Sequence, residues 1–216
     1  MADADTMRTQ SPEKSPVQAK VAAMVGFIPG LGATNMRTII QGGLCSLALA
    51  TAAVAASPAA IVPSIEGTDP YIAVPHAALV ADNSRAWRTV FEAKRGADKP
   101  DQLVPAISMA GSELNTLHAH GVLKRNVSFV VVMHTTASDV AVLDDAHYRA
   151  KFGVANPNLP VLRRLKQAGV KVYVCGQQLT ADGVPLSAVA PEATIAEDGL
   201  IAVMTFEGEG YSHLTF

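Results

Sequence analysis

From Trp87 onward the hydrophobic and polar positions change rhythm in a regular order. Trp87–Ala93 (WRTVFEA) is a short run of strand-forming residues. Ser108–Lys124 spaces Leu114, Leu117 and Gly121 as on one face of a helix, with Lys124 and Arg125 where basic residues favour a helix C-terminus. Val127–His134 (VSFVVVMH) is an almost unbroken β-branched run, the pattern of a parallel strand covered on both faces. Asp144–Phe152 opens on two acids and spaces Tyr148 and Phe152 one helical turn apart. Asn156-Pro157 reads as a cap followed by proline in the first turn of a further helix, which Gly169 closes. Val170–Val174 is the next strand and runs into Cys175-Gly176. Ala193–Ala196 reads as another strand, Asp198–Gly208 as a helix and Tyr211–Phe216 as a last strand.

Strands that alternate with helices of this length predict an α/β fold: a mainly parallel sheet in three layers, α/β/α, of the flavodoxin-like kind. The domain is expected over residues 87–216, with residues 57–86, rich in Ala and Pro, as a linker or lead-in.

Upstream the pattern is different. Between Arg37 and Glu66 there is no charged residue, and Thr38–Ala56 is apolar or small almost throughout. A basic residue, a short apolar core and Ala53-Val54-Ala55 as a small-residue exit describe a secretory signal over residues 36–56, with Met36 as its natural start. Residues 1–35 then form an upstream extension outside the translated protein, and the mature chain lies in the periplasm or is secreted. The competing reading keeps residues 38–63 as an uncleaved membrane anchor, although the run is poor in Leu, Ile and Phe.

Composition narrows the function classes. Of 216 residues, 49% are hydrophobic and 17% charged, which argues against a disordered chain. A formal net charge of −2 gives no electrostatic footprint for nucleic acid. Two cysteines make neither a disulfide framework nor a Cys-rich zinc module. His118 and His120 are two apart on a helix and cannot face one metal, so no metal is expected. Neither glycine-rich phosphate motif follows any strand, and no cofactor is expected. The charges of Arg85–Asp101 have mixed sign and read as a solvated surface.

The best candidate for chemistry is Cys175. In open α/β sheets ligands bind at the carboxyl ends of the strands, where this thiol falls. Backbone N–H groups of a helix starting near Gly176 would favour its thiolate, and Gly176 would let a bound group approach. Strand alternation places Val170, Val172 and Val174 on one face and Tyr173 and Cys175 on the other, so burial beneath a helix is the competing role. With Cys45 removed alongside the signal, Cys175 is the only thiol of the mature chain. His134 ends the preceding strand at the same sheet edge and is the candidate proton partner. Cys175, His134 and Asn156 do not follow the residue order or local signature of a papain-like triad.

Several of these residues also carry a family likeness. Phe129–His134, Asp145–Tyr148, Phe152, Asn156-Pro157-Asn158, Leu165, Ala168-Gly169-Val170, Val174–Gln177 and Gly210-Tyr211 occur in order over about the last hundred residues. Over Asn115 to Tyr211 the chain resembles the DsrE/DsrF-like sulfur-relay superfamily, in particular an exported branch with a Cys-Gly-Gln motif. The resemblance implies a DsrE-like, flavodoxin-type domain that assembles into trimers or hexamers. In the cytoplasmic relay members it implies a cysteine that carries a persulfide between donor and acceptor. Cys175 matches the position of the thiol in the Cys-Gly-Gln branch, and this chain departs from the cytoplasmic members in what surrounds that cysteine. Where the branch commonly has His-Gly, this chain has His134-Thr135.

Two functions follow. In one, Cys175 is the nucleophile of a sulfur carrier or transferase, with His134 moving protons and Gly176, Gln177 and Asn156 binding substrate. In the other, the domain is a non-catalytic oligomeric module for a small ligand and Cys175 is packing.

Overall fold

The computed structural model describes residues 60–135 and 140–216. The secretory signal, its exit at Ala53-Val54-Ala55, the upstream extension and residues 38–59 of the alternative anchor lie outside the described residues. Among those described, no helix is long and apolar enough to cross a membrane.

Five strands form one all-parallel sheet in the order β4-β3-β2-β1-β5: β1 Trp87–Ala93, β2 Val127–Met133, β3 Lys171–Cys175, β4 Thr194–Ala196 and β5 Ser212–Thr215. The helices are α1 Pro105–Ala119, α2 Asp145–Phe152, α3 Asn158–Ala168, α4 Gly176–Ala181 and α5 Gly199–Gly208. The result is the expected three-layer α/β/α domain.

Strand alternation assigns the two faces. Phe91, Ala93, Val131, Met133, Val172 and Val174 point toward α1 and α3 and build the main core with Ile107, Leu114, Leu162 and Leu165. Val90, Val130 and Val132 point the other way, under Val203 and Phe206 of α5. Strands β1 to β4 follow one another across the sheet, whereas the chain after β4 crosses by α5 to pair β5 with the free edge of β1. That reversal puts α5 on the opposite face from α1 and α3.

Local chemistry sets the boundaries. Asp144 caps α2 by accepting from the His147 amide at 2.8 Å, and Asp198 caps α5 by accepting from Ile201 at 2.9 Å. Gly169 ends α3 in the left-handed region at φ +100°. The first helix begins three residues before the expected start, because Pro105 suits the first helical turn, and ends at Ala119 before Gly121 at φ +70°. Lys124 and Arg125 belong instead to a short 3₁₀ turn.

The segment read as a lead-in is part of the domain at its start. Val62 and Ile65 are buried in the main core, and the Val62 amide donates to Val122 O at 2.9 Å. Asn115 on α1 fastens this segment. Its Oδ1 accepts from the Ile65 amide at 2.7 Å, and its Nδ2 donates to Asp69 O at 2.8 Å. No hydrophobic rhythm marks residues 60–69, because two core side chains in an irregular segment make no period. Replacing Asn115 by Ala orphans these buried partners and should cost about 1–3 kcal/mol in urea unfolding. It should also open residues 66–86 to limited proteolysis before the sheet; unchanged stability would show that the segment is held by Val62 and Ile65 alone.

Candidate functional site

The sheet register brings the candidate residues to one place. Met133 of β2 lies opposite Val174 of β3, so His134 and Cys175, each one residue on, leave adjacent strands side by side. Both belong to the α5 face, in phase with Val132 and Tyr173. The start of α5 closes over them. A Cβ on Gly199 would stand 2.8 Å from the His134 Cβ and 3.1 Å from the Cys175 Cβ. The two side chains therefore flank a single point of backbone, and only glycine fits there.

The thiol itself is covered. Cys175 is 7% exposed, and it precedes α4, a helix of six residues, without making a side-chain cap. No helix N–H donates a cap hydrogen bond to its sulfur. Gly176 has a steric reason to be glycine: an added Cβ would meet Ile195 Cγ2 at 2.9 Å and Ala196 O at 3.0 Å. The Gln177 amide donates to Glu197 O at 3.1 Å, tying the same turn to the chain after β4. The side chain of Gln177 is exposed and lines a shallow apolar cleft of about 510 Å³ with Leu186 and Ile195.

Asn156 does not join this group. It is buried, and its Nδ2 donates to Ala141 O at 2.8 Å and Leu143 O at 2.7 Å, while its Oδ1 accepts from the Asn158 amide at 2.9 Å. These bonds hold the β2–α3 connection, so the amide expected to bind substrate serves the fold here. His118 and His120 each use Nδ1 on a backbone carbonyl, those of Val62 and Thr116.

The residue that the sequence reading missed is Glu92. The charges of Arg85–Asp101 were expected at the surface, yet Glu92 is 2% exposed, on the α5 face of β1 between His134 and β5. Its Oε1 accepts from His134 Nε2 at 2.8 Å. Its Oε2 accepts from Thr215 Oγ1 at 2.8 Å and His213 Nε2 at 3.0 Å, with Lys94 Nζ at 3.3 Å. Burial acts to raise this carboxyl, but the hydrogen bonds from Thr215, His134, His213 and Lys94 outweigh it and bring its pKa from 4.5 down to about 2. His213 in turn places Nδ1 2.9 Å from Glu207 Oε1 on α5. A signal was present in the sequence: a glutamate between Phe91 and Ala93, late in a strand, needs partners if that face is covered.

Thr135, next after His134, has φ +79°, the left-handed region that favours glycine. A β-branched residue there carries strain of about 1–3 kcal/mol. Its Oγ1 donates to Lys94 O, which helps to hold the turn. The chain thus leaves β2 abruptly at His134, against the preference of its own next residue.

The arrangement is a thiol, an imidazole and a carboxylate from the carboxyl ends of three adjacent parallel strands. It can hold an oriented imidazole beside a shielded sulfur. Because the folded Glu92 pKa is depressed, its contribution to stability is complete above about pH 4.5 and is lost as pH falls toward 2. The shift corresponds to about 3 kcal/mol. Urea midpoints for the wild type should fall through that window, whereas Glu92→Gln should give a flatter curve; parallel curves would mean that Glu92 titrates alike in the folded and unfolded chains.

No family model matches the chain, and no curated protein matches it. A solved structure of a protein of unknown function from Methanobacterium thermoautotrophicum is similar to it, with a TM-score of 0.43 and 18% identity over 60% of this chain and 99% of that one.

Proposed function

We propose that the protein carries sulfane sulfur as a persulfide on Cys175, as its resemblance to the sulfur-relay proteins implies, with His134 as the proton partner. The observation that supports this reading is the meeting of Cys175 and His134 at the carboxyl edge of the sheet, against Gly199. Clusters of this kind at strand ends are where open α/β folds place their chemistry. A sulfur only 7% exposed favours a small donor over a protein thiol.

The reaction balances without any added oxidant. Cys175 gives its proton to His134, and the thiolate attacks the outer sulfur of a low-molecular-weight persulfide, R–S–SH. The donor S–S bond breaks as the new one forms, and R–S⁻ takes up the proton from His134. Cys175 is left as a persulfide, whose outer sulfur passes to an acceptor thiolate by the same exchange. The second reading, a non-catalytic module that binds a small ligand, is favoured by the burial of Cys175 and by the absence of a helix cap on its sulfur.

Incubating the folded chain with a low-molecular-weight persulfide should add the mass of one sulfur atom. Peptide mapping should place it on Cys175, and Cys175→Ser should show none there. If Cys175 resists both the donor and iodoacetamide until the chain is denatured, it is a core residue and the ligand-binding reading stands.

Self-association into a trimer or hexamer belongs to the same proposal. Leu200, Ile201 and Met204 are 53%, 60% and 61% exposed on α5, and Ile195 on edge strand β4 is 39% exposed. A cluster of exposed large apolar side chains on one helix is expected to be covered by a partner. Sedimentation equilibrium should give a multiple of the chain mass, reduced by Met204→Glu; a single-chain mass at micromolar concentration would count against assembly.

A further inference from the structure

We propose that Glu92 is the positioning residue of this site: it holds the proton of the neutral His134 ring on Nε2 and leaves Nδ1 as the basic nitrogen. The inference deepens the reading of Cys175 as a reacting thiol and takes its catalytic meaning from it.

The first support is the donor count. An ionised carboxylate offers only lone pairs. Its 2.8 Å contact with His134 therefore requires the proton on Nε2 of that ring. His134 Nδ1 has no hydrogen-bond partner among the described residues, so the nitrogen not held by Glu92 is the one able to accept a proton. His134 is 12% exposed, which limits exchange of either nitrogen with water.

The second support is that Glu92 is itself immobilised. Thr215 and His213 bind its other oxygen, and the backbone closes the same loop: Phe216 N donates to Glu92 O at 2.9 Å, and Lys94 N donates to Phe216 O at 2.8 Å. A carboxylate fixed on one oxygen by β5 fixes the imidazole on the other. The contacts also continue outward, from His134 through Glu92 and His213 to Glu207, at 2.8, 3.0 and 2.9 Å. This chain does not act as a proton wire, because a carboxyl held at a pKa of about 2 does not take up a proton near neutrality. Glu92 orients the ring and balances its charge when it is protonated.

The test reads the ring directly. Imidazole nitrogen NMR of the folded full chain, assigned by difference against His134→Gln, should show His134 in the Nε2–H form above its titration. Glu92→Gln, which replaces one acceptor oxygen by a donor, should give mixed tautomers and slow iodoacetamide alkylation of Cys175 near pH 7 by about tenfold or more. An Nδ1–H or evenly mixed His134 in the wild type overturns the proposal without any variant, so it remains decidable if Glu92→Gln does not fold. An unchanged tautomer in a folded Glu92→Gln overturns it too. If the tautomer scrambles while alkylation is unaffected, the positioning role stands and the reading of Cys175 as a reacting thiol falls.

Discussion

A carboxylate almost wholly withdrawn from water inside a parallel sheet must be met on both oxygens, and Glu92 is met by four side chains. Leaving such a charge unpaired would cost several kcal/mol, a large part of the net stability of a domain this size. The requirement reaches well beyond one residue. It fixes where β5 must pair, which way His134 must face and how the chain leaves β1 at Lys94. The candidate chemistry therefore shares its foundations with the fold, and a change at Glu92 acts on both.

The second constraint is steric. A Cβ on Gly199 would crowd His134 and Cys175, and one on Gly176 would crowd Ile195 and Ala196 O, so neither glycine tolerates a side chain. Both glycines lie on the path from β3 through β4 into α5, the segment that carries the chain over to the other face. Close packing there accompanies a thiol only 7% exposed. The same approach that brings His134 and Cys175 together also shields the sulfur, so juxtaposition and access are opposed in this design.

The hydrophobic rhythm carried most of the fold. All five strands and the helices α2, α3 and α5 lie within a residue or two of where periodicity and caps place them, because each presents a repeating apolar face or a local stop. The start of the domain was less legible, since Val62 and Ile65 fill core space from an irregular segment. At the site, His134 and Cys175 could be placed at one edge from strand order alone. Asn156 reads in the sequence as a cap and a substrate-binding residue, but its amide serves two nearby carbonyls, a role that leaves no periodic trace. Glu92 was hidden for a different reason: its partners His213 and Thr215 are more than a hundred residues away, and mixed charge around it resembled an ordinary surface.

That separation has a consequence for biosynthesis. As the chain is made from its N-terminus, β1 through β4 and both large helices of the first face exist before residues 212–215 do. Until β5 arrives, Glu92 lacks His213 and Thr215, two of its four side-chain partners, the edge of β1 lacks its neighbouring strand, and the sheet has a bare polar flank. The nascent domain is thus held short of its final packing until its last strand is delivered, and a stalled or shortened product would expose the very edge that marks it as incomplete.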